Sequence, residues 1–128
     1  MFFPDFLYRF YASKQNNSIV KIISLNGGSF QVYYEDKDLR LAKLTDVSKG
    51  CLIANISSDG QYALVYLDKM GKERGHWYKI DPKTKEKTCL TKRIEPFTAF
   101  NICTAEKNAN VLVGWIGLGD KNAILRID

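Results

Sequence analysis

Leu52-Ile53-Ala54-Asn55-Ile56 runs into Ser57-Ser58-Asp59-Gly60, and Gln61-Tyr62-Ala63-Leu64-Val65-Tyr66-Leu67 follows directly. Two short apolar, β-branched runs around an Asp-Gly turn specify a hairpin, because Asp-Gly supplies the positive φ of a tight reversal. A polar connection, Asp68 to Gly75, leads to His76-Trp77-Tyr78-Lys79-Ile80. Asp81-Pro82-Lys83-Thr84 then turns the chain, since proline fixes φ and has no N–H for a ladder. Lys87-Thr88-Cys89-Leu90-Thr91 closes the set. The spacing predicts a four-stranded antiparallel meander over 51–91.

The same grammar extends in both directions. Upstream, Ser18–Ser24 and Ser29–Tyr34 flank the turn Asn26-Gly27-Gly28, and Leu39–Leu44 alternates up to a break at Lys49-Gly50. Downstream, Phe97–Ile102 precedes a polar loop, Thr104 to Asn108, and Asn110–Ile116 reads as a central strand. A Gly-rich turn over 117–122 then leads into Asn122–Ile127. The only helical spacing is at 4–12, where Phe6, Leu7 and Phe10 fall three to four apart and suggest a short helix. The expected fold is a single all-β domain over 1–128, built of antiparallel meanders of short strands that form a small sandwich or open barrel.

Shifting the chain by about 46 residues lays Leu44-Thr45 on Leu90-Thr91 and Asn55-Ile56 on Asn101-Ile102. One further residue brings Trp77-Tyr78-Lys79-Ile80-Asp81 onto Ile124-Leu125-Arg126-Ile127-Asp128. Such a period reads as a repeated four-stranded unit, at 6–45, 51–91 and 97–128, the last without its final strand. Residues 51–91 resemble a blade of a TolB-type β-propeller: Ser57-Ser58-Asp59-Gly60, an aromatic and apolar strand, Trp77 to Asp81, and the Leu90-Thr91 edge, with Ser58 where that family usually has proline. The resemblance implies incomplete or oligomer-completed propeller-like blades as an alternative fold, since propellers close with four to eight blades.

Composition narrows the function classes. The chain has 128 residues, 45% of them hydrophobic, and 16 aromatics (seven Phe, seven Tyr, two Trp), enough for one buried core. No apolar run approaches a membrane span, and the N-terminus does not read as a signal peptide, so no membrane association and a cytoplasmic location are expected. Three scattered cysteines, Cys51, Cys89 and Cys103, and one histidine fit buried thiols better than a disulfide scaffold or a zinc site. The Asn16 and Asn55 sequons read as accidental in a chain with no export signal.

The formal charge of +5 resides in 68–93, where nine basic side chains face Asp68, Glu73, Asp81 and Glu86. Lys69, Lys72, Arg74, Lys83, Lys85, Lys87, Lys92 and Arg93, with the aromatics Trp77 and Tyr78, make the candidate partner-binding set; Trp115 and Tyr66 are further candidate anchors. Lysines on an edge strand also guard it against edge-to-edge pairing. For chemistry the sequence offers little. His76 has no local nucleophile motif around it, and Gly114 to Gly119 has the glycines of a phosphate loop without its lysine, reading instead as a flexible β-turn. Glu35, Asp36 and Asp38 cluster in a turn. No catalytic residue, metal ligand or cofactor is assigned. The expected function is a non-catalytic protein–protein interaction domain, an inhibitor or immunity-type or accessory subunit, with an acidic protein partner. The alternative is a nucleic-acid-binding β module using 69–93.

Overall fold

A computed structural model describes residues 4–68 and 74–128. The described chain is all-β and antiparallel, in three separate meander sheets. Sheet 1 contains β1 (Phe6–Ala12), β2 (Ile19–Ser24), β3 (Gln31–Glu35) and β4 (Leu41–Lys43), in that order across the sheet. Sheet 2 contains β5 (Ala54–Ile56), β6 (Ala63–Asp68), β7 (Gly75–Ile80) and β8 (Lys87–Cys89). Sheet 3 contains β9 (Thr98–Ala105), β10 (Asn108–Leu118) and β11 (Lys121–Ile127), with β10 central as the apolar run 110–116 predicts. None of the sheets closes into a barrel.

Side-chain alternation explains the stacking, because successive residues of a strand point to opposite faces. Val20, Ile22, Val32 and Tyr34 of sheet 1 pack against Ala54, Ile56, Ala63, Val65 and Ile80 of sheet 2. Leu64, Tyr66 and Trp77, on the other face of sheet 2, pack against Phe97, Ala99, Ile102, Leu112 and Ile116 of sheet 3. Sheet 2 is therefore buried on both faces, with a core on either side of it.

Several local expectations are corrected. Residues 6–12 form β1, not a helix; Phe6 and Phe10 suit a period of two as well as one of four, and β2 supplies a pairing edge from Ser24 to Ile19. Asp59-Gly60 makes the expected reversal, in a connection that runs from Ser57 to Tyr62 and is closed by Ser57 N–H donating to Tyr62 C=O at 3.1 Å. Asp59 Oδ1 organises it by accepting from Ser57 Oγ and Gln61 N–H, while Gly60 takes the positive φ of 73°. The polar stretch 104–108 is mostly strand, reversing at 106–107, and Gly114–Leu118 lie in β10, leaving Gly119-Asp120 as the turn. The Lys83–Lys87 alternation is not an edge strand throughout, since Lys83 and Lys85 sit in the β7–β8 turn and only Lys87 is in β8.

Equivalent hydrogen bonds recur at a spacing of 45–46 residues. Asn55 and Asn101 each accept from the next backbone N–H through Oδ1. Asp36 and Asp81 each cap the turn after the third strand of their sheet by accepting two backbone N–H groups. The turn carboxylate Asp36 thus has a conformational job, and neighbouring Glu35 is paired with Lys21 at 2.9 Å. Asn55 is tied inward as well, its amide donating to Ile102 C=O at 2.6 Å.

Candidate protein-interaction surface

The expected anchor Trp77 is core. It is fully buried, on the face of sheet 2 that meets sheet 3, with its ring edge-on to Tyr66 at 5.7 Å. Tyr66 is buried beside it, its hydroxyl donating to Phe97 C=O. Their register explains both: Tyr66 pairs with Trp77 across β6 and β7, so the two side chains share one face. Tyr78 points to the opposite face, half-buried, with Lys87 Nζ 5.5 Å from its ring centre.

Arg74, Lys83, Lys85, Lys87, Lys92 and Arg93 are exposed around the outer end of sheet 2 and the loop that leaves it. Lys69 and Lys72 lie outside the described residues. Lys79 lies over the buried Tyr62 at 4.4 Å. The structure therefore separates the basic set from Trp77, and it covers the ring faces of Tyr62 and Tyr78 with the protein's own lysines.

His76 stands beside a hydroxyl, its Nδ1 2.9 Å from Thr91 Oγ1. That hydroxyl is buried and already accepts Trp77 N–H at 3.2 Å. The corresponding place in sheet 1 is filled by Gln31 and Thr45, where Thr45 Oγ1 accepts Val32 N–H and donates to Gln31 Oε1 at 2.7 Å. A glutamine does the same work there as the histidine, so the pair reads as a strand clamp. Burial pushes the Cys51 thiol up to about 11 and the Tyr62 phenol up to about 12, away from reactivity at neutral pH. The three cysteines are free thiols: Cys51 buried, Cys89 half-buried and Cys103 exposed. Among the described residues no His, Cys, Asp or Glu cluster could hold a metal, and no helix is long and apolar enough to cross a membrane.

Exposed aromatic and aliphatic side chains gather in two other places: along β1, where Phe6 and Phe10 are each 59% exposed, and on the outer face of sheet 3. Trp115 is 55% exposed, Ile124 80%, Phe100 55% and Val113 40%. Trp115 pairs with Ile124 across β10 and β11, and Val113 pairs with Cys103 across β10 and β9. A register shift beside Trp115 accommodates Phe100, whose ring meets Trp115 edge-on at 6.0 Å. Gly117 makes that placement possible, for a Cβ there would stand 3.3 Å from the Phe100 ring. Val113, Trp115 and Ile124 border an open groove of about 460 Å³, lined also by Asn101, Cys103 and Asn122.

Sequence reading singled out Trp115 but missed Phe100, Val113 and Ile124. The signal was in the 46-residue comparison. Ile124 falls on Trp77 there, and the cross-strand pairs Ile22–Val32, Tyr66–Trp77 and Trp115–Ile124 hold the same place in three sheets. The first two are covered by the next sheet, and the third faces outward. No protein-family model matches the chain, and none of the curated proteins is detectably similar to it.

Proposed function

We propose that this chain is a non-catalytic interaction module, an inhibitor or accessory subunit acting in the cytoplasm, that binds a partner protein through the outer face of sheet 3. The observation that carries the reading is the Trp115–Ile124 pair, exposed at a place where both equivalent pairs are buried under a neighbouring sheet. Exposed apolar faces of this kind mark interaction sites. The occupant we assign is a β-sheet of another protein that presents small apolar side chains, as Ala63 and Val65 do to sheet 1. Lys92 and Arg93 nearby suit acidic residues on that partner's rim, while Arg126 is already paired with Asp128 at 2.7 Å.

A head-to-tail copy of this chain is a poorer occupant. The free face of sheet 1 carries Lys21 and Glu35 where sheet 2 has Val65 and Ile80, and it would have to desolvate that ion pair. The nucleic-acid reading retains the exposed lysines and loses its stacking surfaces, since Trp77 and Tyr62 are buried.

The test is affinity capture from the native host with mass measurement of the complex, using the wild-type chain, Trp115→Lys with Ile124→Lys, and Lys83→Glu with Lys85→Glu and Lys87→Glu. Loss of one defined partner only in the sheet 3 variant supports the reading. Loss only in the lysine variant moves the contact to sheet 2, and salt-dependent recovery of polynucleotide by the wild type turns it to nucleic acid.

A further inference from the structure

Two turns of the fold place a glycine directly after a side chain that can react with it, Asn26-Gly27 and Asp59-Gly60. Both glycines take a positive φ, 74° and 73°. In such a pair the side-chain carbonyl carbon is one ring closure from the glycine nitrogen, and glycine has no Cβ to hinder the approach. The two turns differ in what holds those groups.

At Asp59-Gly60 both are held. Gly60 N–H donates to Ser57 C=O at 2.9 Å, and Asp59 Oδ1 accepts from Ser57 Oγ at 2.7 Å and from Gln61 N–H at 3.0 Å. Gly60 C=O accepts from the Tyr34 hydroxyl at 2.5 Å, and the Asn16 amide fills the space beside the Gly60 Cα. The glycine is buried and the aspartate half-buried.

At Asn26-Gly27 neither is held. Among the described residues the Asn26 side chain and the Gly27 N–H have no hydrogen-bond partner, and residues 25–29 are all exposed. The turn rests on Gly28 N–H donating to Leu25 C=O at 3.0 Å, Ser24 Oγ donating to Gly28 C=O at 2.5 Å, and Asn26 N–H donating to Asp5 Oδ1 at 2.9 Å. An exposed turn with so few bonds opens locally at small cost. Asn26 is also the only asparagine of the chain that precedes glycine.

We propose that Asn26 is a self-modification site, deamidating to aspartate and isoaspartate through a cyclic imide formed with Gly27. The Gly27 nitrogen, having given its proton to solvent, attacks Asn26 Cγ and forms the ring C–N bond. The bond from Cγ to the side-chain nitrogen breaks, and that nitrogen takes a proton from water and leaves as ammonia. Water then opens the ring: attack at Cγ yields aspartate, and attack at the main-chain carbonyl yields isoaspartate. One water is consumed and one ammonia released, with nothing oxidised or reduced. Both products put a negative charge on the residue whose N–H the Asp5 carboxylate accepts. Isoaspartate also adds one carbon to the main chain between Leu25 and Gly27, so the turn cannot keep all three of its bonds. β1 begins opposite Ser24, with Phe6 as its partner, so the modification acts on the anchorage of that strand. The site lies on sheet 1, and nothing in it depends on the partner proposed for sheet 3.

The test incubates the full chain in mildly alkaline buffer, folded and in urea, and reads the converted positions by peptide mass mapping with isoaspartate resolved by chromatography. In the folded chain Asn26 converts within tenfold of its rate in urea, and at least tenfold faster than any other asparagine. Asp59 forms isoaspartate in urea, and at least tenfold more slowly in the folded chain. Asn26→Gln abolishes the conversion, because glutamine would have to close a larger ring. In the purified converted chain the amides of 6–8 and 24–28 exchange faster and those of 54–67 are unchanged. An Asn26 that persists in the folded chain while converting in urea overturns the proposal. Equal conversion of Asp59 or of a second asparagine in the folded chain does so too, and both comparisons use the wild-type chain, so the folding of a variant does not enter. Exchange unaltered by the conversion overturns the assigned effect on β1.

Discussion

Tyr66–Trp77 in sheet 2 and Trp115–Ile124 in sheet 3 are the same cross-strand pair in neighbouring sheets, yet one is core and the other is surface. Nothing about the residue types sorts them, for the exposed pair is as apolar as the buried one. What differs is the neighbour: sheet 3 covers the first pair, and no described element covers the second. Burial here is a property of position in a stack, and the outer face of sheet 3 is exposed because no described element packs on it. The edges differ in the same way, closed by Leu44-Thr45 and Leu90-Thr91 in sheets 1 and 2 and, among the described residues, unpaired in sheet 3.

The largest expected effect breaks the comparison from the buried side. Trp77→Ala removes the largest fully buried side chain. It should cost about 3–5 kcal/mol, the usual range for deleting a core aromatic. Urea denaturation would register it as a lower midpoint. A loss below about 1 kcal/mol would mean that the interface between sheets 2 and 3 contributes little. The Trp77 indole N–H has no acceptor among the described residues, so Trp77→Phe should recover most of the loss.

Alkali should act on the buried cores next. Burial holds the Cys51 thiol at about 11 against an ordinary 9.0, and the Tyr62 phenol at about 12 against an ordinary 10.0. Both groups ionise more readily in the unfolded chain, so the stability tied to their neutral forms is complete below pH 9 and declines above it. The decline falls between pH 9 and 11 for Cys51 and between pH 10 and 12 for Tyr62. Cys51→Ala should flatten the lower part of the decline and Tyr62→Phe the upper part, read from urea midpoints across that range. A midpoint unchanged from pH 8 to 11 would contradict the buried thiol.

How much of this was readable beforehand follows from the same physics. Strand identity was, because alternation and turn residues are local: the Asp81 turn and the central β10 sit where the residues place them. The N-terminal strand was not, because Phe6 and Phe10 fit two periods and only the partner β2 decides between them. The exposed apolar face was least readable. Trp77 and Trp115 both lie in apolar strands, and which one faces solvent depends on contacts between sheets. The lysines did announce themselves as exposed, since charge resists burial wherever the chain puts it.

A smaller effect sharpens the comparison of edges. Thr91→Val keeps the shape and removes the acceptor for Trp77 N–H, leaving a buried donor without its partner. The expected cost is about 1–3 kcal/mol. Thr45→Val should do the same through Val32 N–H. His76→Gln should cost less than about 1 kcal/mol, because Gln31 already serves Thr45 as His76 serves Thr91. If His76→Gln proved as damaging as Thr91→Val, the two clamps would not be equivalent, and the histidine would have a role of its own.

The smallest effect on stability belongs to the exposed pair, and it is the most discriminating. Trp115 and Ile124 are 55% and 80% exposed, so Trp115→Lys and Ile124→Lys should each change the urea midpoint by no more than about 0.5 kcal/mol in stability. With only two tryptophans in the chain, fluorescence checks the premise directly. Trp115→Phe should remove the red-shifted, acrylamide-accessible part of the emission and leave the shielded contribution of Trp77. A loss of more than 2 kcal/mol from either lysine substitution, or a remaining tryptophan that quenches freely, would show that the outer face of sheet 3 is covered in solution. The comparison between a filled and an open position in the stack would then have to be redrawn.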